Sequence, residues 1–155
     1  MDSTTTLIRA VSGVVFLGFF AAFVIVAIFY ILTLSGVLKK CAPSSRTMEP
    51  AMLWLLLVPI LNIIWSFFVV LAMAKSLANE FRLRNIPSSE PEPGKTIGLA
   101  MCICACCAII PILGFLAAPI QLVLWIMYWV KMAGYSKVLD RVPAANLASE
   151  SVQSY

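Results

Sequence analysis

Hydrophobic positions in this chain form long continuous runs, without the alternation or amphipathic spacing that is typical of soluble domains. The first run extends from Ala10 to Leu38, the second from Ala51 to Ala74, and no charge lies between Thr96 and Val130. A helix needs about 20 apolar residues to cross the hydrocarbon core of a bilayer. We therefore predict that the first two runs are transmembrane helices. The first is also too long for a signal-peptide core of about 7–15 residues.

Proline and glycine residues divide the third run. As one helix it would be about 52 Å long, which exceeds one crossing. Pro111 and Gly114 are predicted to break it, because proline cannot continue a helix. The predicted helices cover about 10–38, 51–85, 96–112 and 115–139. They form a single transmembrane domain over 1–139, with a cytoplasmic linker at 86–95 and a polar C-terminal tail at 140–155.

The predicted fold class is an all-α integral membrane four-helix bundle, in which the third and fourth helices form a tight hairpin. We favour two full crossings for this hairpin, because a re-entrant segment needs protein or water to shield its backbone. A re-entrant hairpin stays open as the alternative. Composition agrees with a membrane fold: 62% of the 155 residues are hydrophobic and only 12% are charged. Such a chain cannot cover a small soluble domain with polar groups.

The net charge of +4 bears on orientation, because the basic residues flank the apolar runs. We therefore predict contact with lipid headgroups and no nucleic-acid binding. Four crossings would set eight basic residues on the side of both termini, against three on the other side. The eight are Arg9, Lys75, Arg82, Arg84, Lys95, Lys131, Lys137 and Arg141, and the three are Lys39, Lys40 and Arg46. The positive-inside rule then predicts that both termini are cytoplasmic.

Four of the five cysteines lie between Cys102 and Cys107, and the chain has no histidine. Gly98, Cys102 and Cys106 share one helix face at four-residue spacing, which predicts close helix packing. Lipid attachment to a cysteine and a metal site are the alternatives. A metal site is disfavoured because Cys104 would point nearly opposite to its neighbours on a helix. We predict no metal ion and no cofactor.

A few polar side chains interrupt the apolar runs. Asn62 and Ser66 lie one turn apart, just after Pro59, which is predicted to bend the second helix. We predict that they make polar contacts between helices, with Gln121 as a partner; lining a polar pathway is the alternative.

Aromatic residues precede a lysine near the end of the fourth helix. Trp125, Tyr128, Trp129 and Lys131 are predicted to anchor that helix at the membrane interface, with the lysine reaching toward the headgroups. The mixed-charge segment 75–95 has three open interpretations: it docks a partner, lies along the membrane surface, or is a solvated extension.

Several short motifs resemble those of a group of small bacterial multi-pass membrane proteins of unknown function. The motifs are Met48-x-Pro50, Pro59-x-x-Asn62-x-x-Trp65, Ser76-Leu77-x-x-Glu80-Phe81, Gly94-Lys95-x-x-Gly98 and Tyr128-Trp129-x-Lys131 continuing to Tyr135-Ser136-Lys137. The resemblance covers about 48–139, leaves the first helix unmatched and does not include the cysteine run. It implies a bacterial cytoplasmic membrane and a multi-pass architecture, and it supplies no catalytic or binding residues.

The leading functional hypothesis is a non-catalytic structural or accessory subunit that packs against other membrane proteins or against itself. The alternative is a homo-oligomeric channel or small transporter, in which Asn62, Ser66 and Gln121 would face a shared pore. An enzyme ranks last, because the apolar runs contain no acidic residue and the chain has no histidine for acid–base chemistry.

Overall fold

The computed structural model describes residues 3–108 and 110–142, and these residues form helices and no strands. The helices are α1 (Ser3–Lys40), a 3₁₀ helix (Pro50–Leu57), α2 (Pro59–Leu83), α3 (Lys95–Cys107) and α4 (Pro111–Arg141). The predicted all-α class is confirmed for the described ranges. Three of the helices, α1, α2 and α4, contain segments that are long and apolar enough to cross a membrane. With 13 residues, α3 is about 20 Å long, short of a ~30 Å hydrocarbon core.

The predicted helix over 51–85 differs from the structure, which interrupts it at Val58. Val58 is extended, with φ −82° and ψ 110°, and Pro59 occupies the first turn of α2. A residue before proline is pushed out of the helical region, and proline has no N–H to continue a preceding helix. The chain reverses direction here. The Trp65 indole N–H donates to the Met52 carbonyl at 2.9 Å, a contact that one continuous helix could not make. The 3₁₀ helix and α2 therefore form a hairpin instead of one bent helix.

The second hairpin consists of α3 and α4, and it begins and ends beside the first. The predicted break in the uncharged run is present, but α3 ends at Cys107 and α4 begins at Pro111. Proline is well suited to the first helical turn, where its missing N–H has no partner to lose. Near the start of α3, Gly98 lies against Val70 of α2 and Tyr128 of α4. The two hairpins thus pack side by side.

The C-terminal ends of α1, α2 and α4 meet at one end of the molecule, which we call the polar end. Lys40 pairs with Asp140 at 2.6 Å, and Arg84 donates to the carbonyls of Lys40 and Leu139. Ser3 lies at the other end of α1, a helix of 38 residues that is about 57 Å long. The described ends of the chain are therefore on opposite ends of the molecule. This differs from the predicted four crossings, which would separate Lys40 from Asp140 by a membrane.

The hydrophobic core lies toward the polar end, and much of the remaining apolar surface faces outward. The largest core side chains contributed by α1, α2 and α4 are Ile31, Leu34, Leu38, Met73, Leu77, Tyr128, Met132 and Leu139. Every residue from Ser3 to Phe23 is exposed. Extended apolar surface of this kind is unusual for a soluble monomer. From residue 143 onward, the predicted tail lies outside the described ranges.

Candidate functional site

A cavity of about 650 Å³ lies between the helices on the side away from the polar end. Its walls come from α1, α2, α3 and α4, with Leu56 contributed by the 3₁₀ helix. The lining residues contain no Asp, Glu, Lys or Arg. Alanines at facing positions leave the space open, because methyl side chains do not reach across between helices; they are Ala22, Ala27, Ala105, Ala108 and Ala118.

The polar residues singled out from the sequence converge on this cavity. Asn62, Ser66, Cys102 and Gln121 all line it. They come from three helices, so no spacing along one segment could have shown that they meet. Gly98 and Cys106 belong to the same face of α3 as Cys102 but are not among the lining residues. The side chain of Pro59, the remaining predicted position, lies outside the described part of the structure. Asn62, Ser66, Cys102 and Gln121 each place a neutral polar group on a wall that is otherwise mostly apolar.

Their hydrogen bonds differ from the predicted pairing of Asn62 with Gln121. The Asn62 amide donates to the Leu56 carbonyl at 2.8 Å, which closes the turn between the 3₁₀ helix and α2. Ser66 donates to the Ile63 carbonyl at 2.8 Å, and the Cys102 side chain is buried on α3. These contacts lie within the hairpin of the 3₁₀ helix and α2. Neither of them provides a hydrogen-bond partner for Gln121.

Gln121 is the exception among the polar lining residues. Its carbonyl oxygen Oε1 is buried and has no hydrogen-bond partner among the described residues. Leaving such an acceptor unpaired in an apolar setting costs about 1–3 kcal/mol. Buried polar groups of this kind call for an explanation, because most in folded proteins are satisfied. Here the unpaired oxygen belongs to a residue that lines a cavity.

Aromatic rings close the cavity toward the polar end. Tyr30 of α1 packs against Trp125 and Trp129 of α4, with ring centroids 5.2 and 5.9 Å apart. The Trp129 indole N–H donates to the Thr33 hydroxyl at 3.0 Å. Trp125 and Trp129 thus also join α1 to α4, and their placement at a membrane interface stays a prediction. Tyr128 is fully buried within the protein.

Lys131 is held by the segment that connects the two hairpins. Its ammonium group pairs with the Glu90 carboxylate, which also accepts the Gly94 backbone N–H at 2.8 Å. The hydrogen bond from Lys131, with that from Gly94, lowers the pKa of Glu90 below its usual value of 4.5. The predicted linker at 86–95 is thus attached to α4. Lys131 accordingly has a specific partner near the polar end in addition to any contact with headgroups.

A buried ion pair joins three helices at the polar end. Glu80 and Arg84, one turn apart at the end of α2, are 0% and 6% exposed. Glu80 accepts the Ala42 backbone N–H at 2.8 Å, and Arg84 Nε donates to Glu80 at 2.7 Å. The interpretation of 75–95 as a solvated extension is therefore wrong at these positions. Burial, with the Glu80 carboxylate, also raises the pKa of the neighbouring Cys41 to about 11.

The cysteines of α3 are distributed around the helix. Cys102 is buried, Cys104 and Cys106 are half-buried, and Cys107 is exposed. The Cys104 thiol contacts the Ala117 carbonyl at 3.6 Å, which joins α3 to α4. Within residues 3–108 and 110–142, no three His, Cys, Asp or Glu side chains are grouped so that they could hold a metal ion.

No protein-family model matches this chain, and no match is found among curated protein sequences or solved structures. The resemblance to a group of bacterial membrane proteins therefore stays a prediction. Functional inference depends on the cavity, the polar end and the exposed apolar surface.

Proposed function

We propose that this chain is a non-catalytic integral membrane protein, in which α1 crosses the bilayer and two helical hairpins enter from the polar end. Three helices with membrane-spanning length and composition support this proposal. The four α-helices then form the membrane bundle, with α3 completed by its short connection to α4. From Pro111 to Val130, α4 has 20 uncharged residues, which match a hydrocarbon core of about 30 Å.

The distribution of charge supports an orientation with the polar end in the cytoplasm. Apart from Arg9, the eleven basic residues lie in the loops, at the start of α3, or in the C-terminal halves of α1, α2 and α4, which lead to the polar end. The positive-inside rule favours the cytoplasm for that end and the opposite side for the start of α1. The sequence predicts both termini on one side because it treats the second helix as a full crossing. A hairpin at 50–83 enters and leaves the membrane on the same side and so adds no crossing. The start of α1 and the end of α4 then lie on opposite sides of the membrane. The bacterial cytoplasmic membrane rests on the sequence resemblance.

Within the membrane, we propose an accessory role in which the first half of α1 packs against another membrane protein. One observation carries this proposal: from Ser3 to Phe29 the helix has no buried residue, although the same helix is well packed from Tyr30 onward. Gly18 belongs to this free half, and a Cβ added there would meet no atom within 4 Å. Ala22, one turn further on, is the other small residue of the pair and also lines the cavity. Small residues at four-residue spacing allow membrane helices to approach closely.

Purification from native membranes in a mild detergent tests this role. We expect the wild-type chain to co-purify with a defined larger complex and Gly18→Leu to lose it. Gly134→Leu is the matched control, because Gly134 is also an exposed helical glycine with open space around it. Recovery of only a monomer or homo-oligomer would contradict the proposal. A complex that survives Gly18→Leu would also contradict it.

A homo-oligomeric channel or small transporter is the second candidate, because Asn62, Ser66 and Gln121 line one cavity. It predicts ion flux through liposomes containing the purified chain, changed by Gln121→Leu. Gln121 is the better position to test, because Asn62→Leu would also remove the hydrogen bond to Leu56. Flux that is absent, or the same in both proteins, would count against this candidate.

A further inference from the structure

A second pocket, which we call the loop pocket, lies where the connection that follows α1 leads into the 3₁₀ helix. It has a volume of about 570 Å³, and its lining residues lie between Pro43 and Met52. Hydrogen bonds attach this connection to α2. The Thr47 hydroxyl donates to the Ala72 carbonyl at 2.8 Å, and the Thr47 backbone N–H donates to the Ser76 hydroxyl at 3.0 Å. The loop pocket therefore has a fixed place beside α2, near the polar end.

Two lining side chains of opposite charge, Arg46 and Glu49, are not paired with each other. Neither forms an ion pair with any residue that the structure describes, and the Glu49 carboxylate accepts no hydrogen bond from those residues. Arg46 is fixed by backbone carbonyls: Nε donates to Cys41 and Nη2 donates to Lys39, both at 2.9 Å. These bonds use two of the five guanidinium N–H donors. The loop pocket thus offers separate partners for one anionic and one cationic group.

The loop pocket lies at the border between a charged and an apolar surface. Its charged side chains come first along the chain, and over 51–58 every exposed residue is apolar; we call these exposed residues the apolar strip. Met52 both lines the pocket and is 45% exposed, and Trp54 follows it in the strip. Tryptophan is enriched where membrane proteins meet lipid headgroups. In the proposed orientation, the pocket therefore lies at the cytoplasmic interface, with the apolar strip beside lipid chains.

The two charges fit a phospholipid whose headgroup carries both a phosphate and a primary ammonium. Arginine binds phosphate through paired N–H donors, and a carboxylate accepts hydrogen bonds from an ammonium group. A quaternary ammonium cannot donate, and it is usually recognised by aromatic rings, which are absent among the described lining residues. A headgroup with a phosphate and no cation would leave Glu49 unpaired beside a second negative charge.

We propose that the loop pocket binds the headgroup of an ethanolamine phospholipid. Its phosphate lies on Arg46, its ammonium lies on Glu49, and its acyl chains follow the apolar strip. The two hydrogen bonds that fix Arg46 prepare the guanidinium for the phosphate, which lowers the cost of ordering it on binding. The site depends on the proposed membrane residence but not on the accessory role.

Native mass spectrometry of the purified chain in detergent tests this site. The probes are the dioleoyl forms of phosphatidylethanolamine, phosphatidylcholine and phosphatidylglycerol, which differ only in the headgroup. We expect one ethanolamine lipid per chain, bound about fivefold more tightly than either of the others, as one partly exposed charge contact would give. Glycerophosphoethanolamine, the same headgroup without acyl chains, should bind about tenfold more weakly, because it cannot cover the apolar strip.

Variants of the two charged residues assign the contacts. Glu49→Gln changes a side chain with no described partner, so it should fold normally and lose the preference for the ethanolamine lipid. Glu49→Lys should transfer the preference to phosphatidylglycerol, whose headgroup is anionic. Arg46→Gln should weaken all three lipids, since all carry the phosphate. Lys39→Gln is the matched control, because Lys39 is an exposed cation outside the loop pocket.

Three results would each overturn the proposal: equal binding of the three lipids, an ethanolamine preference that survives Glu49→Gln, or equal affinities in Arg46→Gln and Lys39→Gln. Equally tight binding of glycerophosphoethanolamine would also overturn it, because the ligand would then be a soluble compound. Loss of lipid selectivity in a chain that still co-purifies with its complex would overturn the lipid site and leave the accessory role intact.

Discussion

Replacing Arg84 with methionine should destabilise the protein more than any comparable change at an exposed charge. The Arg84 side chain is buried at the polar end, where it links α2 to α1 and α4. Nε and Nη2 lie 2.7 and 2.6 Å from the Glu80 carboxylate. Nη1 donates to the Leu139 carbonyl at 2.8 Å, and Nη2 to the Lys40 carbonyl at 2.6 Å. One guanidinium group thus satisfies a carboxylate and the free carbonyls of two helix ends.

The expected loss is about 3–5 kcal/mol in the free energy of unfolding, the usual cost when one partner of a buried ion pair is removed. Most of it comes from Glu80, whose carboxylate would stay buried without a counter-ion. The carbonyls at the ends of α1 and α4 would also lose a cation, which interacts favourably with a helix C-terminus. Replacing both partners, as Glu80→Gln with Arg84→Met, should therefore cost less than Arg84→Met alone.

The assay is unfolding of the purified protein from mild-detergent micelles by increasing SDS, followed by circular dichroism. Arg82→Met is the matched control, because Arg82 lies two residues away on α2 and is exposed. We expect the control to change the free energy of unfolding by less than about 0.5 kcal/mol. Equal stability of Arg84→Met and Arg82→Met, or a double variant less stable than Arg84→Met, would contradict this role of the buried ion pair.

Three further predictions concern the packing and titration of other sites. Gly98→Ala should lower the unfolding midpoint while Gly134→Ala does not, because a Cβ at Gly98 would lie 2.4 Å from a valine methyl of α2; equal midpoints would refute close packing there. Glu90→Gln should cost up to about 1 kcal/mol at pH 7. Because the pKa of Glu90 is lowered in the folded state, its contribution is present above pH 4.5 and is lost as the pH falls through the folded pKa. The two proteins should therefore converge in stability below the folded pKa, and a pH-independent difference would argue against the ion pair with Lys131. Cys41 should react with a maleimide at pH 7 at least tenfold more slowly than the exposed cysteine at the end of α3, because burial raises its pKa from 9.0 to about 11; similar rates would contradict its burial.

The sequence predicted the apolar helices well because length and composition determine which segments can span a bilayer. It also carried the signal for the turn at Val58, since a residue before proline avoids helical angles. That signal was read as a bend, because prolines are tolerated within membrane helices when neighbours satisfy the freed carbonyl. A turn instead of a bend at Pro59 changes the number of predicted crossings. It therefore also changes the side of the membrane on which Lys39, Lys40 and Arg46 are expected.

The candidate site was only partly predictable. Asn62, Ser66, Cys102 and Gln121 stood out as polar or small residues in apolar helices, but their convergence depends on how two hairpins pack. A helix surrounded by lipid has no polar face that would reveal which side is inward. Glu80 and Arg84 were missed for a related reason. Their spacing is typical of a solvated helix pair, and their other partners lie on the distant ends of α1 and α4.

In the proposed topology, two hairpins enter the membrane from one side and α1 alone carries the chain across. Labelling of single cysteines by a membrane-impermeant maleimide, in a cysteine-free background and in vesicles of both orientations, tests it most directly. The probe positions are Ser3, Ser44 and Ser89, all exposed. We expect Ser44→Cys and Ser89→Cys to react from the same side and Ser3→Cys from the opposite side. Labelling of Ser3→Cys and Ser89→Cys from one side, with Ser44→Cys from the other, would contradict it and restore four crossings.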